Sequence, residues 1–192
     1  VLPSSPLDAA RPQNPTDRAP VQAAAAGSAQ QIAMLVYPGF IPLDFFGPHA
    51  IFAILGNVNV HIVWKTRDTV TAATGVPIQP TTTFAECPRN LDVLFIPGGL
   101  EGTTAIMNDP EVLGVVQDRG QRARYVTSVC TGSLMLGAAG LLRGYRATSH
   151  WTARHLLPLF GAVPVAERVV EDRNRITAGG VTAGIDFGLQ VA

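Results

Sequence analysis

The stretch over residues 124–142, RYVTSVCTGSLMLGAAGLL, constrains the fold more than any other part of the chain. β-Branched and aromatic residues precede Cys130 and are typical of a short buried strand, whereas the leucines and alanines after it favour a helix. Cys130 lies where the pattern changes, so the strand must turn directly into the helix at this residue. We expect the first free N–H groups of the helix to lie beside the Cys130 thiol and to lower its pKa. The stretch therefore predicts an exposed, reactive cysteine at the end of a strand.

Strand and helix patterns alternate along the rest of the chain. Apolar runs predict buried strands over residues 31–37, 59–64 and 91–96, and helices are predicted over residues 43–55 and 109–119. Charged residues make up only 15% of the chain and hydrophobic residues 47%, a balance that suits a sheet covered on both faces. The sequence therefore predicts one α/β domain with a mostly parallel, doubly wound sheet.

Local signals refine these elements. Pro48 predicts that the first helix proper begins near it, because proline is tolerated only in the first helical turn. Thr74-Gly75 predicts a hairpin turn. We expect Asn108 or Asp109 to cap the next helix, with Pro110 at the first helical position.

Residues 1–30 differ from the rest of the chain, with five prolines, an alanine run and no hydrophobic period. We expect a disordered or extended tail there, followed by a single domain over residues 31–192. We expect a cytoplasmic protein. Because the chain begins with Val1 rather than Met, export followed by removal of a signal peptide is the alternative.

Charge and cysteine content exclude several classes of function. The formal net charge is zero, so we expect neither a nucleic-acid partner nor an anionic membrane surface. The most apolar run, residues 129–142, is too short to span a bilayer. Cys87 and Cys130 form no C-x-x-C motif and no histidine pair has ligand spacing, so neither a disulfide framework nor a metal site is indicated. A single bridge between the two cysteines is the minor alternative.

Several loops follow predicted strands and carry glycine pairs or titratable groups: residues 38–44, 97–101, 130–132 and 150–151. In a doubly wound sheet, binding sites form outside the carboxyl ends of the strands. We therefore expect these loops to meet at one edge and to form a site for a small molecule.

Taken singly, the titratable residues of these loops have ordinary structural explanations. Asp44 alone is more often a helix cap, His150 a hydrogen-bonded structural histidine, and Cys130 a core cysteine. Their common position at one edge favours a catalytic interpretation, in which Asp44 acts as a general acid and base opposite the cysteine.

The pair Gly98-Gly99 is most simply a tight turn. In the catalytic interpretation, the backbone N–H groups of this turn and of Thr131 face a developing oxyanion. The pair is not a phosphate-binding loop, because neither G-x-G-x-x-G nor G-K-[ST] follows.

Four motifs together resemble the ThiJ/PfpI superfamily: the strand-Cys-Thr-Gly-Ser-helix unit, FIPGG, LDFFGP and GGVTAGIDF. More narrowly, TSVCTGS, GLLRGYRATSHW and ITAGGVTAGID resemble the isonitrile hydratase branch and the related amidase-like domains of AraC-type regulators. The resemblance covers about residues 31–192. It implies a flavodoxin-like three-layer sandwich, similar to class I glutamine amidotransferases, with helices on both faces of the sheet.

The resemblance also implies roles for individual residues. Cys130 matches the nucleophile of the family, Thr131 the threonine that follows it in the hydratase branch, and Asp44 the aspartate that faces it. Gly99 and Thr131 would supply the backbone oxyanion donors, and His150 would support the pocket. Protease-like members have histidine directly after the cysteine, and glyoxalase-like members have glutamate in place of Asp44, so this chain departs from both.

The activity implied is hydration of an isonitrile to an N-substituted formamide by a cysteine thiolate and an aspartate, without a metal or organic cofactor. Pocket walls are expected from Phe40, Ile41, Phe45 and Trp151, which suit a weakly polar substrate. The resemblance further implies a homodimer.

Two other functions stay open. One is a different enzyme on the same scaffold, such as a glyoxalase or amidase-type hydrolase. The other is a non-enzymatic ligand- or redox-sensing domain of a transcriptional regulator, in which Cys130 would be oxidised by mild peroxide while Cys87 is spared.

Overall fold

A computed structural model of the protein describes residues 28–192. The tail predicted over residues 1–30 lies outside the described residues except at its end, where the first strand already begins at Gln30. The strands are β1 Gln30–Leu35, β2 Val58–Trp64, β3 Val70–Thr71, β4 Pro77–Ile78, β5 Thr82–Thr83, β6 Val93–Ile96, β7 Tyr125–Val129, β8 Arg146–Ala147, β9 Val163–Pro164, β10 Val169–Asp172 and β11 Arg175–Ala178. The α-helices are α1 Pro42–Phe52, α2 Glu101–Met107, α3 Pro110–Arg122, α4 Gly132–Ala138 and α5 Ala183–Val191, and a 3-10 helix spans Arg154–Phe160.

The central sheet has seven strands in the order β10-β11-β7-β6-β1-β2-β5. All neighbours pair in parallel except β10 and β11, which form an antiparallel hairpin at the edge. Helices α1 and α5 pack together, and α2, α3 and α4 contact one another as a separate group, while α4 and α5 both contact β7. The chain therefore forms the predicted mostly parallel α/β sandwich.

A cluster of aromatic rings ties one helical layer to the sheet. The Phe187 ring of α5 stacks on Phe95 of β6 with centroids 5.5 Å apart, and it meets Phe52 of α1 edge-on at 6.1 Å. All three side chains are fully buried. Because α1 carries Asp44, this packing fixes the helix that supplies the carboxylate of the candidate site.

Several local predictions are confirmed. Asp109 caps α3 by accepting from the N–H groups of Glu111 and Val112, with Pro110 at the first helical position. Strands β3 and β4 pair antiparallel around the turn at Thr74-Gly75.

The predicted start of the first helix near Pro48 is wrong. Helix α1 begins at Pro42 and contains Pro48 in its interior. Proline at position 48 removes the N–H that would bond to the Asp44 carbonyl. The backbone of α5 approaches at that point, where a Cβ on Gly184 would lie 3.5 Å from the Asp44 carbonyl oxygen. Packing between the two helices thus accommodates a proline that would end an isolated helix.

One further element was not anticipated. Helix α2 lies between the strand predicted over residues 91–96 and the helix predicted over residues 109–119, where the sequence predicted no helix. In the described range 28–192, no helix is long and apolar enough to cross a membrane.

Candidate active site

Cys130 occupies the sharp turn between β7 and α4. Its φ of 58° is in the left-handed region that a side chain rarely adopts. The Cys130 N–H donates to the Ala178 carbonyl at 2.9 Å, and its carbonyl accepts from the hydroxyls of Ser149 at 3.0 Å and Ser133 at 3.2 Å. Both backbone polar groups of Cys130 thus have partners, which hold the strained conformation at this corner.

Asp44 faces Cys130 from the first turn of α1. Its carboxylate is fully buried; Oδ1 accepts from the Val181 N–H at 2.7 Å and Oδ2 from the Gly98 N–H at 3.2 Å. The Cys130 thiol lies beside this carboxylate, and the negative charge of the carboxylate acts on the sulfur. The segments that meet at this carboxylate therefore follow four adjacent strands: β1, β6, β7 and β11. The sequence predicted that the segments after β1, β6 and β7 would meet at one edge of the sheet.

Gly98 forms the floor of the site, because the Cys130 side chain and the Asp44 carboxylate both lie directly against it. A Cβ on Gly98 would lie 2.5 Å from Cys130 Cβ, 2.6 Å from Asp44 Oδ2 and 2.9 Å from Cys130 Sγ. No side chain fits at such distances. Glycine is required at this position because the cysteine and the carboxylate close over its α-carbon.

The pKa of Cys130 is raised, which contradicts the expected lowering. Burial, and after it the negative charge of Asp44, raises the pKa of this thiol from 9.0 to about 12. Only 3% of the residue is exposed, so the expected exposure is also wrong. Hydrogen bonds from Thr131 act in the opposite direction but do not outweigh burial beside a carboxylate.

Burial also raises the pKa of Asp44, and the hydrogen bonds from Val181, Cys130 and Gly98 oppose that rise. The thiol and the carboxylate therefore compete for a proton in a dry environment. At neutral pH the thiol retains its proton, because its pKa is about 12.

The predicted oxyanion donors are arranged differently from the expectation. The Gly99 N–H donates to Thr131 Oγ1 at 3.0 Å, and the Leu100 N–H donates to the same oxygen at 3.3 Å. The Thr131 N–H is directed at the sulfur of Cys130. Gly99 is thus already hydrogen-bonded and does not present a free donor to the site, because the Thr131 side chain folds back over it.

The remaining predicted site residues divide by burial. His150 is half-buried, its Nδ1 lies 2.7 Å from Thr152 Oγ1, and its charge acts on Asp44. Trp151, next to His150, is 74% exposed and therefore does not form the pocket wall that was expected of it. Phe40 and Phe45 are completely buried, with their rings edge-to-face at 5.6 Å, so they form core rather than pocket wall.

Of the four predicted wall residues, only Ile41 is half-buried and also bonded to Gly98. The Ile41 N–H donates to the Gly98 carbonyl at 2.8 Å. Two cavities, of about 190 and 580 Å³, lie elsewhere in the fold, and neither is lined by Cys130 or Asp44. Access to the sulfur is narrow, because Cys130 is only 3% exposed.

Sequence reasoning missed four participants. Val181 and Gly180 follow β11 at the same sheet edge, and a search of every strand end would have included them. Tyr37 and Thr103 lie under Thr131 in a buried hydroxyl cluster, and no spacing in the sequence indicates them.

The part of the chain that the structure describes holds no group of three or more His, Cys, Asp or Glu side chains placed for a metal ion. Both cysteines are free and buried, so the minor alternative of a bridge between them is wrong.

Comparison with known proteins agrees with this architecture. The sequence model of the DJ-1/PfpI family matches residues 30–192. The chain is 52% identical over 164 residues to an isonitrile hydratase from Pseudomonas putida, covering 85% of this chain and 71% of the hydratase. The crystal structure of a ThiJ/PfpI family protein from Pseudomonas syringae superposes with a TM-score of 0.85 at 54% identity, covering 93% of this chain and 74% of that one.

A regulator is also similar to the chain. The HTH-type transcriptional regulator GbdR from Pseudomonas aeruginosa is 32% identical over 124 residues. That match covers 64% of this chain and 33% of the regulator, so the chain spans a third of that protein's length.

Proposed function

The chain belongs to the DJ-1/PfpI family, and from that premise we propose that it catalyses the addition of water to an isonitrile to give an N-substituted formamide. The relative from P. putida supports an enzyme of this kind. The observation that carries the proposal is the buried pair of Asp44 and Cys130, closed over Gly98.

An isonitrile needs a proton and a nucleophile at the same atom. Its terminal carbon carries a lone pair and becomes open to attack once it is protonated. A thiol beside a carboxylate supplies one transferable proton and one sulfur nucleophile within a few ångströms. The raised pKa of both groups keeps that proton in the pair at neutral pH.

The first step adds the thiol across the isonitrile carbon. The Cys130 proton passes through Asp44 to the carbon, the sulfur forms the C–S bond, and the product is a thioimidate, R–N=CH–S–Cys130. Nothing leaves in this step, so the enzyme gains the mass of one whole substrate. The negative charge of the sulfur is consumed as the C–S bond forms, so no oxyanion develops.

The second step hydrolyses the thioimidate. Asp44 accepts a proton from a water molecule as the water oxygen attacks the carbon, and it passes that proton to the imine nitrogen. The C–S bond then breaks, the electron pair returns to sulfur, and the second water proton restores the Asp44–Cys130 pair. The sum is R–N≡C plus water giving R–NH–CHO, without a metal or an organic cofactor.

The shape of the site favours this substrate class over an amide. The isonitrile group is linear and slender, which suits a sulfur in a residue that is 3% exposed. Amide hydrolysis begins with an oxyanion that needs preorganised donors. The Gly99 N–H is already used by Thr131, so one predicted donor is missing for that chemistry.

The decisive experiment is turnover of an alkyl isonitrile, methylglyoxal and a peptide amide by the wild type, Cys130→Ala and Asp44→Asn. Cys87→Ala is the matched control, because Cys87 is a second buried free cysteine that packs away from Asp44. We expect formamide from the isonitrile in the wild type and in Cys87→Ala, and none in the other two variants. Quenched wild type should carry one substrate mass on Cys130.

Other outcomes would replace the proposal. Turnover of methylglyoxal alone would indicate a glyoxalase, and hydrolysis of the peptide amide alone an amidase. No turnover, with saturable binding of a small ligand, would indicate the sensing domain of a regulator, as the similarity to GbdR allows. The expected homodimer and the cytoplasmic location stay predictions; light scattering of the purified protein tests the former.

A further inference from the structure

Two exposed apolar residues near Cys130 have backbone conformations that such residues rarely adopt. Leu100 has a φ of 43° and is 57% exposed, and Val181 has a φ of 50° and is 41% exposed. Positive φ is uncommon outside glycine, and for a β-branched residue such as valine it is a genuine outlier. Both residues therefore hold a strained conformation although neither side chain is buried in the core.

The backbone hydrogen bonds of these two residues do not explain their side chains. The Leu100 N–H donates to Thr131 Oγ1 at 3.3 Å, and the Val181 N–H donates to Asp44 Oδ1 at 2.7 Å. Each carbonyl accepts from an N–H group further along its own segment, at 3.1 and 3.2 Å respectively. Glycine would make the same bonds without strain, since it adopts positive φ freely. Neither backbone geometry nor core packing therefore accounts for an apolar side chain at these positions.

The topology of the sheet places the two residues on opposite sides of the Cys130 sulfur. Strand β7, which leads into Cys130, lies between β6 and β11, and Leu100 and Val181 follow those two neighbours. Gly98 and Gly180 precede them and lie against the sulfur, since a Cβ on either would be 2.9 or 3.0 Å from Sγ. The residue between Gly98 and Leu100 is also glycine, and Val181 follows Gly180 directly. Leu100 and Val181 thus carry the first side chains after these contacts, within about 7 Å of extended chain.

We propose that Leu100 and Val181 are specificity-determining residues that bind the substituent of the isonitrile, one on each side of the sulfur. An isonitrile, R–N≡C, is linear at its reactive end, so the group R points away from Cys130 once the terminal carbon reaches the sulfur. R then meets two side chains that carry neither a charge nor a hydrogen-bonding group. Such a contact favours an apolar R, because it removes apolar surface of R and of both residues from water.

The inference rests on the proposed hydration of isonitriles and adds the class of substrate, which is an isonitrile with an apolar substituent of several carbons. Contacts with R lie away from the reacting carbon, so they act equally on the bound substrate and on the transition state. Interactions of that kind change KM and leave kcat nearly constant. Loss of one small apolar contact in a binding site lowers kcat/KM by roughly tenfold or more.

The test compares kcat and KM for methyl isonitrile and n-pentyl isonitrile in the wild type, Leu100→Gly and Val181→Gly. Glycine adopts positive φ without strain and keeps the backbone N–H group, so both variants should fold. We expect the ratio of kcat/KM for the pentyl over the methyl substrate to fall roughly tenfold in each variant, through a higher KM for the pentyl substrate. Leu100→Met, which keeps an apolar side chain of similar size, should retain the wild-type ratio.

Leu159→Ala is the matched control, because Leu159 is a 78% exposed leucine on the 3-10 helix and follows neither β6 nor β11. It should keep the wild-type ratio. Equal losses for the two substrates in the glycine variants would overturn the inference, since they would mean that the side chains only hold the backbone. A ratio that stays unchanged in the glycine variants, or that falls as far in Leu159→Ala, would overturn it as well.

A second measurement separates this inference from the proposed activity. Alkyl methanethiosulfonates transfer their S-alkyl group to a cysteine sulfur and release methanesulfinate, so they report on access to Cys130 without isonitrile turnover. In a Cys87→Ala background, we expect the pentyl reagent to modify Cys130 faster than the methyl reagent, and this preference to fall roughly tenfold in both glycine variants. The same preference in the glycine variants as in the wild type would overturn the inference. The expected preference in a protein that does not turn over isonitriles would overturn the proposed activity and support the binding of apolar groups by Leu100 and Val181.

Discussion

Replacing Asp44 by asparagine removes the carboxylate charge beside Cys130 and keeps the size of the side chain. Sγ and Oδ2 lie 2.9 and 2.6 Å from the same position above Gly98. Two unit charges about 5 Å apart in a medium with an effective dielectric constant of about 20 interact by about 3 kcal/mol, or about two pH units in a pKa. Burial, the largest cause of the raised pKa of about 12, is unchanged. We expect the pKa of Cys130 to fall by about one to two pH units in Asp44→Asn.

The assay is the pH profile of alkylation and thiolate absorbance in the Cys87→Ala background. Asp186→Asn is the matched control, because Asp186 is exposed on α5 and pairs with Arg168 rather than with the thiol. The variant with the more acidic thiol should nevertheless be inactive on isonitriles, because the group that passes protons to and from the substrate is gone.

A pKa of Cys130 that is unchanged or higher in Asp44→Asn would refute the reasoning, since it would mean that the carboxylate does not act on the sulfur. Isonitrile turnover retained in Asp44→Asn would refute the proton-transfer role separately. The two readouts thus test the electrostatics and the chemistry independently.

Two further predictions concern the same site. Gly98→Ala should lower isonitrile turnover at least about a hundredfold while the circular dichroism spectrum is retained, because the new Cβ would lie 2.5 Å from Cys130 Cβ. Turnover near the wild-type value would show that Asp44 and Cys130 do not close over Gly98. The second prediction concerns the pH profile of kcat/KM. We expect kcat/KM to rise with pH through the pKa of Asp44, which burial raises above 3.8, because at lower pH the Asp44–Cys130 pair takes up a second proton. At higher pH kcat/KM should stay level well into the alkaline range, because Cys130 keeps its proton up to about pH 12. A fall between pH 7 and 9 would contradict the one-proton pair.

The framework of the site was predictable because it follows from the spacing of apolar residues in the sequence and from the topology of the sheet. The change from strand to helix pattern fixed the corner at Cys130, and the rule that sites form at strand ends brought Asp44 and Gly98 to the same edge. Helix α2 was missed because EGTTAIM combines a glycine with two threonines, which are weak helix formers; contacts with α3 and α4 supply what local propensity lacks.

The electrostatics of the site were not predictable from local sequence. The expected low pKa of Cys130 rested on a helix N-terminus, which sequence reveals, whereas the observed rise follows from burial and from Asp44, which only the folded chain brings near. The occupied Gly99 N–H depends likewise on how the Thr131 side chain turns, and no spacing of residues encodes that.

The glycine floor limits how this site could be redesigned. Positions 98 and 180 have no room for side chains, since a Cβ on Gly180 would lie 3.0 Å from the Cys130 sulfur. A mutant library aimed at new substrates would therefore lose activity if it varied the floor. A library should instead vary the residues around the site, where Leu100 is 57% exposed and Ile41 is half-buried. Selection for bulkier substrates should thus accumulate changes at these two positions and leave Gly98 and Gly180 unchanged.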